Sequence, residues 1–414
     1  MRTVKILLIV AAVALLGGGS YARHHDSQSL VDQGAADGPL LLRGSQVQRG
    51  RYLTAAADCM ACHTVPGGND YAGGVAFELP FGTIYSSNLT ADPETGLGGW
   101  TDDEFVAAVR SGRARGGQHL YPAHPYTSYA GMARNDVLAI KAYLDSLPPI
   151  KNVIPANTLS FPYSQRGLMV FWNALYQPAA GYTADGTHDA DWNRGAYLAN
   201  ALGHCGECHT PRNGAYALKS AQALSGSIAQ GWKAYDITAS GLSHWTEADL
   251  DAYLATGHAP GHGSAAGPMK AVVAFDTAQL TVADRQALVH YLLAGRTAGP
   301  VAAIVPRSVA DPASTGAALY AGACSGCHDL APSAVTSDYG DLTGASTVLD
   351  PRGTNLLRLL VEGSPPGVGT GMPMPSFGVS YSAVERAALA NYVLAQWGGL
   401  KPTLTANDAQ AALH

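Results

Sequence analysis

Cys59-Met-Ala-Cys62-His63, Cys205-Gly-Glu-Cys208-His209 and Cys324-Ser-Gly-Cys327-His328 use every cysteine in the chain. Two thiols three positions apart can bond the two vinyl groups of one porphyrin, and the histidine after them can bind its iron. The repeated motif therefore points to covalent c-type haem. Cys59, Cys62, Cys205, Cys208, Cys324 and Cys327 are the attachment thiols, and His63, His209 and His328 the first axial ligands. Three disulfides would also suit an even number of cysteines, but they explain neither the constant gap nor the histidine. Structural zinc wants four nitrogen or sulfur ligands, usually from two separated pairs, and each motif supplies three. A thioredoxin-like redox pair has no reason to recur three times with its own histidine.

A haem held by one histidine needs a second ligand or stays open to small molecules, and Met and His are the usual choices. Met269, in Gly267-Pro-Met269, lies 60 residues after His209. In the third block Met372-Pro-Met374-Pro-Ser-Phe377 offers two methionines, of which Met374 is preferred and Met372 is the backup. In the first block the matching position, 61 residues after His63, is His124. Met132 and His119 are the alternatives there. The expectation is a bis-His haem in block one and His/Met haems in blocks two and three. Backbone carbonyls near Pro66, Pro211 and Pro332 could orient the first ligands, since an iron-bound histidine usually donates its other N–H. Trp100, Arg212 and Tyr85 are candidate contacts for the propionates.

Three similar blocks must carry these sites. Each motif follows a short helical segment: Arg49-Gly-Arg-Tyr52-Leu53, Arg194-Gly-Ala-Tyr197-Leu198 and Gly316-Ala-Ala-Leu319-Tyr320. Thr101 and Thr246, each with an acid three residues on, predict capping boxes. Asn355 to Glu362 is the equivalent helix in block three. Each block closes with an apolar-periodic helix, over Asp136 to Leu147, Val282 to Leu293 and Ala383 to Trp397. Tyr143, Tyr291 and Tyr392 align on these helices as core residues. The predicted fold is all-α: three tandem c-type cytochrome domains, each with one covalent haem. They span 43–150, 186–298 and 316–398, with an apolar strap and linker at 151–185, a linker at 299–315 and a polar tail at 399–414.

Residues 1–22 read as an export signal: a basic start, an apolar run from Ile6 to Leu16 and the small-residue site Ser-Tyr-Ala22. Export suits c-type haem and places the chain in the periplasm. No later stretch is long and apolar enough to cross a bilayer, so membrane attachment would be peripheral. Net charge is −6 and only 14% of residues are charged, with no basic stripe for nucleic acid.

Residues from about 43 to 398 resemble the three-haem cytochrome c subunits of membrane-associated bacterial dehydrogenases, of the alcohol, gluconate, sorbitol and fructose types. The resemblance lies in Pro80-Phe-Gly-Thr-Ile-Tyr-Ser-Ser-Asn88, Gly98-Gly-Trp100, His119-Leu-Tyr-Pro-Ala123, Pro125-Tyr126, Leu202-Gly-His-Cys-Gly-Glu-Cys-His-Thr-Pro-Arg-Asn213 and Ala266-Gly-Pro-Met269. That family usually has Met where this chain has His124, and a Ser or Thr cap where it has Ala133. The resemblance implies an electron-transfer subunit. A catalytic partner, quinoprotein or flavoprotein, oxidises the substrate, and the haems pass electrons to ubiquinone at the membrane. The other readings are a stand-alone soluble carrier to a terminal oxidase and an enzyme with an open iron. Two features fall outside the pattern. The apolar segment Phe161 to Tyr176 reads first as a strap between blocks one and two, and second as a docking surface. His188, His244, His258 and His262 read as surface or loop histidines.

Overall fold

The computed structural model describes residues 45–296, 308–328, 338–364 and 373–413. The export signal at 1–22, Pro332, Met372 and residues 299–307 of the second linker lie outside the described residues. The described chain forms two compact units. One runs to Glu207 and takes in Gly214–Ala217; the other holds Cys208–Asn213 and Leu218 onward.

In the first unit the helix Gln46–Ala56 packs against Arg134–Asp145. Gly50 permits their crossing, because a Cβ there would meet the Ala139 carbonyl at 1.8 Å and Tyr143 Cβ at 2.9 Å. The buried Asp136 carboxylate locks the pair. It accepts from Arg49 Nε at 3.1 Å, and Tyr197 Oη donates to it at 2.7 Å. Helix Arg134–Asp145 indeed starts without a side-chain cap at Ala133, yet the Ala133 N–H donates to Tyr197 Oη at 3.1 Å. Tyr197 ends the helix Ala190–Tyr197, which runs on as a π-helical turn over Leu198–Leu202.

The second unit holds the remainder of block two with block three. Helix Thr315–Ala323 crosses Ala383–Gly398 at Gly316, whose Cβ would meet the Ala388 carbonyl at 2.2 Å and Tyr392 Cβ at 2.7 Å. The same device therefore recurs at the first and third motifs. Leu356, Leu357 and Leu360 on Thr354–Glu362 meet Leu389, Leu394 and Trp397 in one core. Asn355 ties this helix to block two through its amide, which bonds both the N–H and the carbonyl of Lys233 at 2.8 and 2.9 Å.

The capping boxes at Thr101 and Thr246 are formed. The three tyrosines on the closing helices are half-buried; Tyr392 packs against the core of the third block, and Tyr143 and Tyr392 lie against the first helix of their blocks at Gly50 and Gly316. Three elements depart from an all-α reading. Antiparallel hairpins pair Ala76–Leu79 with Gly82–Tyr85, Ser227–Ala229 with Trp232–Ala234, and His258–Ala259 with Gly263–Ser264. The tail is also not loose polar chain. Thr405 and Asp408 cap a helix over Ala406–Ala411, Ala409 is fully buried, and Asn391 clamps the Leu404 backbone.

Candidate haem sites

All six cysteines are thiols rather than disulfides. After each pair the histidine ring is fixed in one way. His63 Nδ1 lies 2.7 Å from the Ser87 carbonyl, His209 Nδ1 2.6 Å from that of Tyr235, and His328 Nδ1 2.7 Å from that of Gly340. A carbonyl can only accept, so each Nδ1 carries the proton and each Nε2 keeps its lone pair for a metal. These carbonyls replace the expected ones near Pro66 and Pro211. The Pro211 carbonyl instead accepts from the Lys219 N–H.

The hairpins do this positioning. Ser87 follows the strand Gly82–Tyr85 by two residues, and Tyr235 directly follows Trp232–Ala234. The backbone brackets the histidines again: Gly73 N–H donates to the His63 carbonyl and Gly226 N–H to the His209 carbonyl, both at 2.8 Å. Thr64 and Thr210, each after its histidine, accept from Tyr71 and Leu224 at 3.0 Å. In the third block the short turn Asp338–Gly340 replaces the hairpin.

His124 lies near His63. Burial is the main force that lowers its pKa to about 3, followed by the nearby His63 and His204, while a hydrogen bond to the Ala108 carbonyl opposes them. Burial likewise lowers His63. Both residues keep partial exposure. Neutral imidazole is the form that binds a metal, and both are held neutral. Met132 is fully buried beside the fully buried Ala130. His119 is drawn toward the strap, with Nδ1 3.3 Å from Asn173 Nδ2.

In the second unit, Met269 is half-buried in the first turn of the helix Pro268–Phe275. A cavity is lined on one side by Cys324, Cys327 and His328 and on another by Met374. Its walls include Leu356, Leu360 and Val393. Met374 is pinned by paired backbone bonds to Ser364, both at 2.9 Å. Paired thiols, one metal-competent imidazole nitrogen, a thioether and apolar walls are the donor set that covalent haem requires. The residues present fit that group.

Of the histidines expected at the surface or in loops, His258 and His262 are buried, although His262 does lie in the turn between two short strands. His258 sits in a strand with Nδ1 2.9 Å from Ser264 Oγ, and His262 stacks on Trp245 at 3.8 Å, 3.5 Å from Asp249. The small hairpin His258–Ser264 folds them inward. His188 is exposed as expected, stacked on Trp192. His204 was missed. It takes a positive φ of 37° and sits 5.3 Å, ring to ring, from Tyr129.

The sequence model of the cytochrome c family matches residues 47–148, and that of cbb3-type cytochrome c oxidase subunit III matches residues 311–393. Cytochrome c domains carry covalently bound haem c. A component of the nicotinate dehydrogenase of Pseudomonas putida is 41% identical over 377 residues. That match covers 89% of this chain, which spans only 32% of that relative. The gluconate 2-dehydrogenase cytochrome c subunit of Pantoea cypripedii is 35% identical over 389 residues, covering 87% of this chain and 88% of the relative. The cytochrome c subunit of the quinone alcohol dehydrogenase of Komagataeibacter europaeus is 31% identical over 437 residues, covering 99% and 89%.

Proposed function

This chain belongs to the family of cytochrome c subunits of dehydrogenase complexes, and from that premise we propose that it carries electrons from a catalytic subunit to ubiquinone through three covalent haems. It does not oxidise the substrate alone. Bound haem supplies an iron that gains and loses one electron. The chain's own residues attach, orient and shield it.

One observation carries the reading. Three histidines in three separate motifs each rest Nδ1 on a backbone carbonyl, at 2.6 to 2.7 Å. A disulfide framework has no need of that arrangement. We assign the cysteine pairs at 59/62, 205/208 and 324/327 to haem attachment. The iron ligands are His63 with His124, His209 with Met269, and His328 with Met374. Imidazole stabilises ferric iron better than a thioether does, so the first haem would have the lowest potential of the three if burial were equal. The three c-type domains over 43–150, 186–298 and 316–398, the export signal and a periplasmic, membrane-peripheral position complete the proposal.

The partner oxidises an alcohol, a sugar, a sugar acid or nicotinate. The test uses membranes containing this protein with its neighbouring subunits. Ethanol, gluconate, fructose, sorbitol and nicotinate are added one at a time while the haem bands are recorded. Reduction by one of them names the partner. Reduction by none would favour a stand-alone carrier.

A further inference from the structure

Seven of the fifteen large apolar residues exposed among the described residues fall between Val153 and Leu175. Elsewhere they are scattered singly, which is ordinary for a soluble surface. Val153 is 77% exposed, Phe161 80% and Leu175 71%.

The helix Met169–Tyr176 is built inside out. It contains no charged residue, and its one amide side chain faces inward. Asn173 accepts from Tyr126 Oη at 2.7 Å and lies against His119. Met169 is buried, and Trp172 Nε1 donates to the Ala215 carbonyl at 2.8 Å. Val170, Phe171, Ala174 and Leu175 form the opposite face and are exposed. The inner face does pack as a strap would. The outer face leaves apolar side chains in water, the reverse of a surface helix of a soluble domain.

Charge says what covers it. The chain carries a net −6, yet no Asp or Glu occurs from Ser146 to Ala184, while Lys151 and Arg166 do. Lys151 pairs with the exposed Glu94. Arg166 lies over the Tyr121 ring and donates to the His119 carbonyl, with no carboxylate partner among the described residues. Apolar and aromatic side chains on a stretch that holds Lys151 and Arg166 and no acid of its own match the headgroup region of an anionic bilayer. Among the described residues no helix is long and apolar enough to cross a membrane.

We propose that the exposed apolar side chains of Val153, Phe161, Leu168, Val170, Phe171 and Leu175 dock into the interface of an anionic phospholipid bilayer. This rests on the membrane-peripheral position in the proposed function and names the surface that would hold the chain there.

The test is sedimentation of the full haem-loaded protein with vesicles of phosphatidylglycerol and phosphatidylcholine, and with phosphatidylcholine alone. Binding is expected to the anionic vesicles. Phe171→Ser with Leu175→Ser should weaken it about tenfold or more, and Val384→Ser, at an exposed site elsewhere, should not. An unchanged haem spectrum shows that the variant is folded. Val153→Ser with Phe161→Ser, outside the helix, should repeat the loss. Absence of vesicle binding by the unaltered protein would overturn the proposal. So would equal binding by the variants. Loss of co-elution with the dehydrogenase, with vesicle binding intact, would make this face a protein interface and also overturn it. Substrate-driven haem reduction in detergent should persist in every variant, so failure here leaves the electron-transfer role standing.

Discussion

His63 Nδ1 stands 2.7 Å from the carbonyl oxygen of Ser87, twenty-four residues along the chain. In the proposed first haem site this bond would leave Nε2 for iron and make the ring a stronger donor. Gly73 guards this contact. Its φ is +74°, and a Cβ there would meet the Ser87 carbonyl at 2.4 Å. Gly73→Ala should push the carbonyl off His63, weaken its donation and raise the potential of the first haem. A spectroelectrochemical titration reads this. Unchanged potentials with full haem content would show that the carbonyl does not tune the iron.

His124→Met should raise the potential of the first haem while keeping it low-spin, because thioether favours ferrous iron relative to imidazole. His124→Ala should open that iron to carbon monoxide in the reduced protein. Met132→Leu should change neither. If Met132→Leu and not His124→Ala opens the site, the ligand is Met132.

Asp136 is buried and holds Arg49 and Tyr197 together. Asp136→Ala leaves a cation and a hydroxyl facing a void, and should cost about 3–5 kcal/mol. Tyr197→Phe removes one neutral donor to a charged acceptor and should cost about 1.5–3 kcal/mol. Thermal unfolding of the haem-loaded protein measures both, and equal effects would mean that the Arg49 contact contributes nothing separate.

Asp58 is buried immediately before Cys59. Burial raises its pKa from 3.8 to about 7, and Oδ1 has no hydrogen-bond partner. Between those values the folded state holds a proton that the unfolded state has lost. Stability from this group is therefore fullest below pH 3.8 and is lost as pH rises toward 7. Asp58→Asn keeps a side chain that tolerates the residue's φ of 51°. It should stabilise the protein at pH 7 by about 1–3 kcal/mol and flatten the pH dependence. Unfolding midpoints from pH 4 to pH 8 decide this, and parallel curves for the two proteins would contradict it.

The haem motifs, the capping boxes at Thr101 and Thr246 and the closing helices could be read from residue type and spacing. So could the missing cap at Ala133, although Tyr197 as its substitute could not. The carbonyl anchors were beyond reach for a physical reason. Every residue has a carbonyl, so Ser87, Tyr235 and Gly340 carry no mark of the role. The hairpins that deliver two of them have strands of three or four residues, too short for an alternating pattern to stand out. The burial of His258 and His262 depended on a two-residue strand pairing. The tail helix was missed because small residues such as Ala409 gave no apolar stripe, although Thr405 and Asp408 were a readable cap. Composition did flag the strap, but its outward apolar face emerged only with coordinates.

The most direct measurement counts haems per chain, and those reduced, in the purified complex. A pyridine haemochrome assay gives the total, and anaerobic addition of the partner's substrate gives the fraction reduced. Three covalent haems per chain, all reduced by substrate and reoxidised by a ubiquinone analogue, is the predicted result. Two haems or fewer, or haems that stay oxidised while the dehydrogenase turns over, would contradict the account.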